Sequence, residues 1–459
     1  MRSSRVCSQP CRPRLKQVPL RRVRPPLWLG PRGIGAAIVF ALLAGLLTQF
    51  TGWPIAAGVV LTAFIVLAIA DGRASAASFG LRRIPPERYA LAHGDVFGYE
   101  LENRGGVALR CGIVEGPVAK LAIDANGTIA VIPPRSRAHA EIAFVPRERG
   151  RTVLGDSYAW YETLAGIVRH RVRLPGAQPI RVLPDLSALD AGDLVVRARA
   201  IDAGLRRLRR RGAGTEFESL RDYSAGDAFR DIDWKATARR GRVMVAQHEV
   251  ERSQQVIVAI DCGRLMAARL GDRRKLDYAV GAALGIAGLA RRAADRVGVH
   301  AFASTTLATV PPGSGAAQAA AIVEALADIE PQLDEPDYER AALTLRRSYR
   351  KRSLIVVFTD LFDPVASSSV LSALTLLTKH HLVLVALMND AALQEALAAE
   401  PRDVATAYRA ALATSLLAER ARAVAALHAG GMLVIDVPAR DLRLATLDAY
   451  LQIKTRGSL

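Results

Sequence analysis

Two uncharged apolar runs lie near the start of the chain: GIGAAIVFALLAGLLTQF over 33–50 and PIAAGVVLTAFIVLAIA over 54–70, with only TGW between them. Eighteen helical residues reach roughly 27 Å, close to the thickness of a hydrocarbon core. Trp28, Phe50 and Trp53 fall at the ends of the runs, where aromatic side chains collect at membrane interfaces. The pattern predicts a transmembrane helical hairpin over 33–70. Gly33, Ala37, Ala41 and Gly45 recur every four residues and predict a stripe along which helices approach closely. A secretory signal ending at Ala74-Ser75-Ala76 fits poorly, because two apolar segments follow a long basic tail. A buried hairpin of a soluble protein fits poorly too, because neither run has a charge.

The pattern then changes twice. Over 79–184 the apolar runs are short and punctuated by Gly, Pro and Asn, as in VFGYEL at 96–101, ALRCGIV at 108–114, GTIAVIP at 127–133, HAEIAFV at 139–145 and HRVRLP at 170–175. This spacing predicts a β-sandwich-like module. Over 251–459, runs of buried-strand type (254–261, 297–303, 353–360, 382–390 and 432–437) alternate with helical stretches (274–293, 315–328, 337–350, 366–380 and 402–428). Such alternation predicts a doubly wound, parallel α/β domain. Residues 185–250 form a connector between the two, with helical patterning through 186–211.

Charge sharpens the picture of the N-terminal part. The chain has 62 Lys plus Arg against 44 Asp plus Glu, a net +18 over 459 residues. Nine of the cations fall in 1–32, and no acidic residue occurs before Asp71. Residues 1–32 therefore read as a basic, disordered tail lying on anionic lipid. Arg73, Arg82 and Arg83 follow the second apolar run, while the turn carries no cation. The positive-inside rule then places both termini and the soluble domains in the cytoplasm, on a multi-pass protein of the inner (plasma) membrane. The run RRLRRR at 206–211 has the look of a phosphate-binding patch. In a chain already at a membrane it reads as a solvated helix face, and no nucleic-acid partner is expected. Four cysteines in 459 residues exclude a disulfide scaffold, and Cys7 and Cys11 have no second pair with which to hold a metal.

The densest chemistry lies at 214–239, GTEFESLRDYSAGDAFRDIDWKATAR. Glu216, Glu218, Asp222, Asp227, Asp231 and Asp233 alternate with Arg221, Arg230, Lys235 and Arg239, and Phe217, Tyr223 and Trp234 stand among them. Alternation at this density predicts an ion-paired, ordered loop. Asp233 precedes WKATARR and suits the positive end of a short helix. Gly214, Glu216, Phe217, Leu220, Arg221, Tyr223, Gly226, Asp227, Arg230, Ile232, Asp233, Trp234, Ala238 and Arg239 resemble the signature of the bacterial domain of unknown function 58 family. The resemblance implies a membrane anchor, a β-rich segment and a C-terminal domain of von Willebrand factor type A kind. It also implies a partner, an AAA+ ATPase of the MoxR type. Glu216, Phe217, Arg221, Tyr223, Asp227, Arg230, Asp233, Trp234 and Arg239 are the candidate interaction residues, with a brace between domains as the alternative role.

Two apolar runs end in carboxylates, Asp261 and Asp360, at the place where parallel sheets bind ligands. Type A domains hold magnesium there with a D-x-S-x-S loop, a threonine and an aspartate. Here the first loop is Asp261-Cys262-Gly263-Arg264-Leu265, and Asp337-Tyr338 stands where the threonine is expected. Asp261, Asp337 and Asp360 thus form a degenerate metal site, with Asp363 nearby and weak Mg²⁺ as its most it would hold. A polar cluster that binds a partner, or pairs with Arg239 or Arg264, is the preferred reading. No Walker loop, H-E-x-x-H, C-x-x-C or G-x-S-x-G occurs, so no cofactor and no enzymatic activity are expected. The resulting expectation is a non-enzymatic, membrane-anchored adaptor that works with a MoxR-type ATPase on a protein client. The alternative is a magnesium-dependent ligand-binding or adhesion module, which would face outward.

Overall fold

A computed structural model describes residues 27–50, 52–75, 79–91, 93–190, 216–224, 229, 232–249, 254–361, 364–400 and 402–456. Most of the basic tail, the arginine run at 206–211, Asp363, and Gly214, Gly226, Asp227, Arg230 and Asp231 of the signature lie outside the described residues. The chain divides into two compact units. One comprises 1–87, 94–145 and 153–179, and the other 88–93, 146–152 and 180–459.

In the first unit, α1 (Pro31–Leu47) and α2 (Trp53–Ser75) form a helical hairpin. Helix α2 has 23 residues and is long and apolar enough to cross a membrane; α1 has 17 and falls short of that length. The rings of Phe40 and Phe64 meet edge-on at 5.5 Å between the helices. The covered face of α1 runs through Gly33, Ala37, Phe40, Ala44 and Thr48, whereas Ala41 and Gly45 are exposed. The small-residue stripe is therefore not the packing face. A strict four-residue row drifts about 40° per step around a helix of 3.6 residues per turn, so only its first half stays on the buried side. Gly33 has a different job: a Cβ there would lie 2.2 Å from the Ile167 carbonyl oxygen.

The rest of the unit is two antiparallel sheets. Strands β1 (Phe79–Ile84), β2 (Asp95–Asn103) and β5 (Ser136–Pro146) join residues 121–123 in one. Strands β3 (Leu109–Glu115), β4 (Thr128–Ile132), β6 (Ser157–Thr163) and β7 (Val168–Leu174) join residues 27–29 in the other. Burial alternates along β2 and β5, which puts Phe97, Tyr99, Leu101, Ile142 and Phe144 in the core. The buried Tyr99 hydroxyl reaches across to Glu115, and Arg83 pairs with the same carboxylate at 2.9 Å.

The second unit is α/β. Strands β10 (Gln255–Asp261), β11 (Arg296–Phe302), β12 (Thr306–Gly313), β13 (Leu354–Phe358), β14 (Leu382–Asn389) and β15 (Leu433–Pro438) make one sheet in the order β12-β11-β10-β13-β14-β15. All neighbours are parallel except β12, which runs antiparallel at the edge. The sheet is thus not purely parallel: TTLATVPPG is not among the strands expected from the sequence, and its two prolines are tolerated because an edge strand needs only half its N–H groups. Val256, Val258 and Ile260 of β10 pack under α4 (Lys275–Arg292) and α10 (Leu442–Arg456). Ile257 and Ala259, which point the other way, pack under α6 (Tyr338–Ser348) and α7 (Pro364–Thr378). Helices therefore cover both faces, and strand order reverses between β10 and β13. That switch point lies at the strands' carboxyl ends, where sheets of this kind bind ligands.

Candidate functional site

Asp261 ends β10, and Thr359 and Asp360 directly follow β13, its parallel neighbour. The register of this pair brings the two carboxylates together at the switch point, and both are about 1% exposed. Asp261 takes a backbone N–H from Gly263 on Oδ1 at 2.7 Å. Its Oδ2 takes the hydroxyls of Tyr338 and Thr359 at 2.7 and 2.8 Å, and those two hydroxyl oxygens lie 2.7 Å apart. Both hydroxyls can therefore donate to the same carboxylate oxygen of Asp261. Burial, which penalises the charged form, raises the pKa of Asp261, with the nearby Asp360 adding to it.

Asp360 is engaged on both oxygens. Its Oδ1 takes the Leu361 N–H at 2.9 Å and a guanidinium N–H of Arg420 at 2.7 Å. Its Oδ2 takes the ammonium of Lys275, the first residue of α4. Arg420 projects from α9 (Val404–Ala429) and bridges onward to Asp436 of β15, with N–O distances of 2.9 and 3.0 Å. Lys275 and Arg420 are both buried. Burial alone would lower the Arg420 pKa, but Asp436 and Asp360 outweigh it and the net direction is up.

The remaining sequence candidates do not join this cluster. Asp337 caps α6, accepting the Arg340 N–H at 2.8 Å, and pairs with the Arg340 side chain; its neighbour Tyr338 takes the inward position. Arg264 pairs outward with Glu335 at 2.5 Å, and Arg239 lies exposed on a separate helix. So the expected partners Arg239 and Arg264 are replaced by Lys275 and Arg420. Their separations from Asp360, 85 and 60 residues, leave no local trace in the sequence.

The donors do not fit a magnesium ion. Mg²⁺ takes oxygens in near-octahedral array at about 2.1 Å. Here the carboxylate oxygens already accept protein donors, and two cationic side chains occupy the approach to Asp360. The lost serine at 263 has a steric cause as well: a Cβ at Gly263 would lie 2.6 Å from Pro336 Cδ. Among the described residues no group of three His, Cys, Asp or Glu side chains is placed to hold a metal.

The signature forms a second constellation. Strand β8 (Glu216–Asp222), which contains Glu216, Phe217 and Arg221, pairs antiparallel with β9 (Met244–Glu249). Between them stands α3 (Trp234–Arg240), started by Asp233, whose Oδ1 accepts the N–H groups of Lys235 and Ala236 at 2.9 Å. Gly241 ends it in the left-handed region, φ 65°, which a side chain would disfavour. Arg221 donates to the Asp222 carbonyl, and Asp222 pairs with Arg242 at 3.0 Å. Tyr223 meets Phe229 at 6.4 Å; Phe229 and Trp234 stand 74% and 64% exposed. The helix that starts at Trp234 also carries Lys235, Arg239 and Arg240, all exposed, so it shows basic as well as aromatic side chains to solvent.

Residues 219–415 match the family model described as "Protein of unknown function DUF58". The uncharacterized proteins Rv1480 of Mycobacterium tuberculosis (strain H37Rv) and Mb1516 of Mycobacterium bovis are each 24% identical to this chain over 262 residues. That stretch covers 54% of this chain and 82% of theirs. The PapD-like domain 7 of human CEP192 aligns over 23% of this chain and 83% of its own, at 14% identity and a TM-score of 0.18, which is too slight a likeness to argue from.

Proposed function

We propose that this chain is a membrane-anchored, non-enzymatic adaptor whose soluble units face the cytoplasm and which presents a protein client to a MoxR-type AAA+ ATPase. The observation that carries the anchor is α2: 23 residues, apolar, and exposed along nearly all of its span. Leu42, Leu46, Val59 and Val66 are among the large apolar side chains that the hairpin turns outward, a surface suited to lipid. The shorter α1 packs along α2 and, with lipid thinning or a tilted partner, completes a two-span hairpin. Arg73 in the last turn of α2 and Arg82 and Arg83 beyond it support the inward orientation.

The strand order and the carboxylate pair at its switch point support a type A kind of C-terminal domain. The adaptor role rests on the family resemblance, and the exposed Phe229 and Trp234 offer the surface for it. The magnesium-dependent alternative loses ground because the donors at Asp261 and Asp360 are already engaged. The test is crosslinking of the full-length protein in its native membranes, followed by mass spectrometry. Recovery of an AAA+ ATPase, lost in a folded Phe229→Ala/Trp234→Ala variant, supports the adaptor. Recovery of none overturns it. A cysteine at Gly52, in the turn, labelled by an impermeant reagent added outside, tests the topology separately.

A further inference from the structure

We propose that Lys275 and Arg420 take the place of a divalent cation at the carboxyl end of the sheet, so that the chain's own charges close this site permanently. The inference stands apart from the membrane reading and uses only the second unit. A buried carboxylate such as Asp360 is a liability unless something positive joins it. In this chain that charge is covalently supplied. Lys275 arrives on the first residue of α4, and Arg420 from the middle of α9, and both end on Asp360. Arg420 carries the link on to Asp436, so one guanidinium ties α9 to two parallel strands' ends, the segment after β13 and β15. The fork geometry of the guanidinium suits the bidentate contact with Asp436.

A metal ion would have to displace a buried ammonium and a buried guanidinium together, and would meet their repulsion as it entered. The two hydroxyls beside the carboxylates are spent inward: Tyr338 and Thr359 both close on Asp261. The first loop is tightened against Pro336, which removes the room a serine ligand would need. The consequence is a site with no vacancy for a ligand-borne carboxylate. Its parts are held together constitutively, where an open site would be switched by metal and ligand.

The experiment uses the full chain in detergent micelles. Wild-type melting curves are compared in millimolar MgCl₂ and in KCl of equal ionic strength; no saturable difference is expected, and a saturable rise in Tm overturns the proposal. A double-mutant cycle then pairs Lys275→Met with Asp360→Asn. Lys275→Met removes one of the two cations on Asp360, and Asp360→Asn removes the carboxylate that both cations share; each is expected to lose roughly 10 °C in Tm. The double variant is expected to lose clearly less than the sum, and simple additivity overturns the ion-pair role. If both single variants fail to fold, the double variant decides: a cooperative melt supports the pairing, and an unfolded chain overturns it.

Discussion

The carboxylate of Asp71 accepts the backbone N–H of Val168 at 2.9 Å, and the neighbouring N–H of Ile167 at 3.1 Å falls on the same oxygen. Its other oxygen takes the hydroxyl of Thr163. Asp71 is the first acidic residue of the chain, sits in the last turns of α2, and is buried. It satisfies a tight turn between β6 and β7 that would otherwise hide two unpaired N–H groups. One turn on, Ser75 meets His170 at 2.8 Å. The end of the apolar helix is thus seated in the β-rich unit by polar contacts.

Replacing Asp71 with Ala removes the acceptor for three donors and is expected to destabilise the first unit by about 3 kcal/mol or more. Asp71→Asn keeps one carbonyl oxygen and should lose less. Urea melts of the detergent-solubilised protein, followed by near-ultraviolet circular dichroism of the β-rich unit, distinguish the two. Equal, negligible losses in both would show that the joint is not fixed by this carboxylate.

Arg149 is expected to be the most sensitive position of the second unit outside the sheet. It is buried, pairs with Asp277 at 2.5 Å, and donates to the carbonyls of Leu326 and Ile329 at 2.7 Å. Asp277 lies in the first turn of α4, and Leu326 in the last turn of α5 (Gly315–Ala327). One guanidinium therefore neutralises a buried carboxylate and supplies donors to a helix C-terminus. Arg149→Met should cost about 3–5 kcal/mol, because a buried carboxylate loses its cation. Arg149→Lys should recover only part of this, since an ammonium lacks the fork that reaches both groups. Denaturant midpoints for the three proteins provide the comparison, and full recovery by lysine would contradict the geometry.

Sequence reading located five strands and five helices of the second unit to within a few residues, because their apolar runs keep a steady period, but it named neither the helices Ala391–Ala398 and Leu442–Arg456 nor the strands Phe79–Ile84, Ser157–Thr163 and Thr306–Gly313. It failed where placement depends on distant partners. Asp337 reads as a loop ligand, yet it sits at a helix start, where capping by a carboxylate competes with any other role. Lys275 and Arg420 read as ordinary helical cations, since nothing near them in sequence shows that a buried carboxylate awaits them. Residues 146–152 fall inside the segment 79–184 that reads as β-rich, but Glu148, Arg149 and Arg151 all find their partners in the second unit, at Arg269, Arg274, Asp277 and Asp328. Charge density flagged the stretch 214–239, and within it the pattern at Asp233 foretold a helix cap; which face its aromatics expose required the fold.

Mild acid is expected to loosen both units. His170, His300 and His381 are buried, and desolvation lowers the pKa of each below the ordinary 6.5. A lowered folded-state pKa means that the unfolded chain takes up the proton first. Stability is therefore intact above about pH 6.5 and is lost as pH falls below it. His300, whose Nδ1 meets Thr309 Oγ1 at 3.0 Å, is the clearest reporter because burial is the sole cause of its shift. Melting temperatures measured just above and well below pH 6.5 should fall for the wild type, and fall less for His300→Gln. An identical acid response in both proteins would mean that His300 is not part of the effect.

Restoring the serine of a metal-binding loop should harm the protein and gain nothing. At Gly263 a Cβ would stand 2.6 and 2.9 Å from Pro336 Cδ and Cγ and 3.1 Å from Asp261 Oδ1. The proline ring cannot swing aside as a flexible side chain would, so the loop must move. Gly263→Ser is expected to lose about 1–3 kcal/mol by overpacking. Pro336→Ala in the same chain should return part of that loss, because it removes the two nearest atoms. Neither variant should bind Mg²⁺ in calorimetry, since Lys275 and Arg420 still hold Asp360. Magnesium binding by Gly263→Ser alone would mean that the serine, and not the internal cations, is what this sheet end lacks.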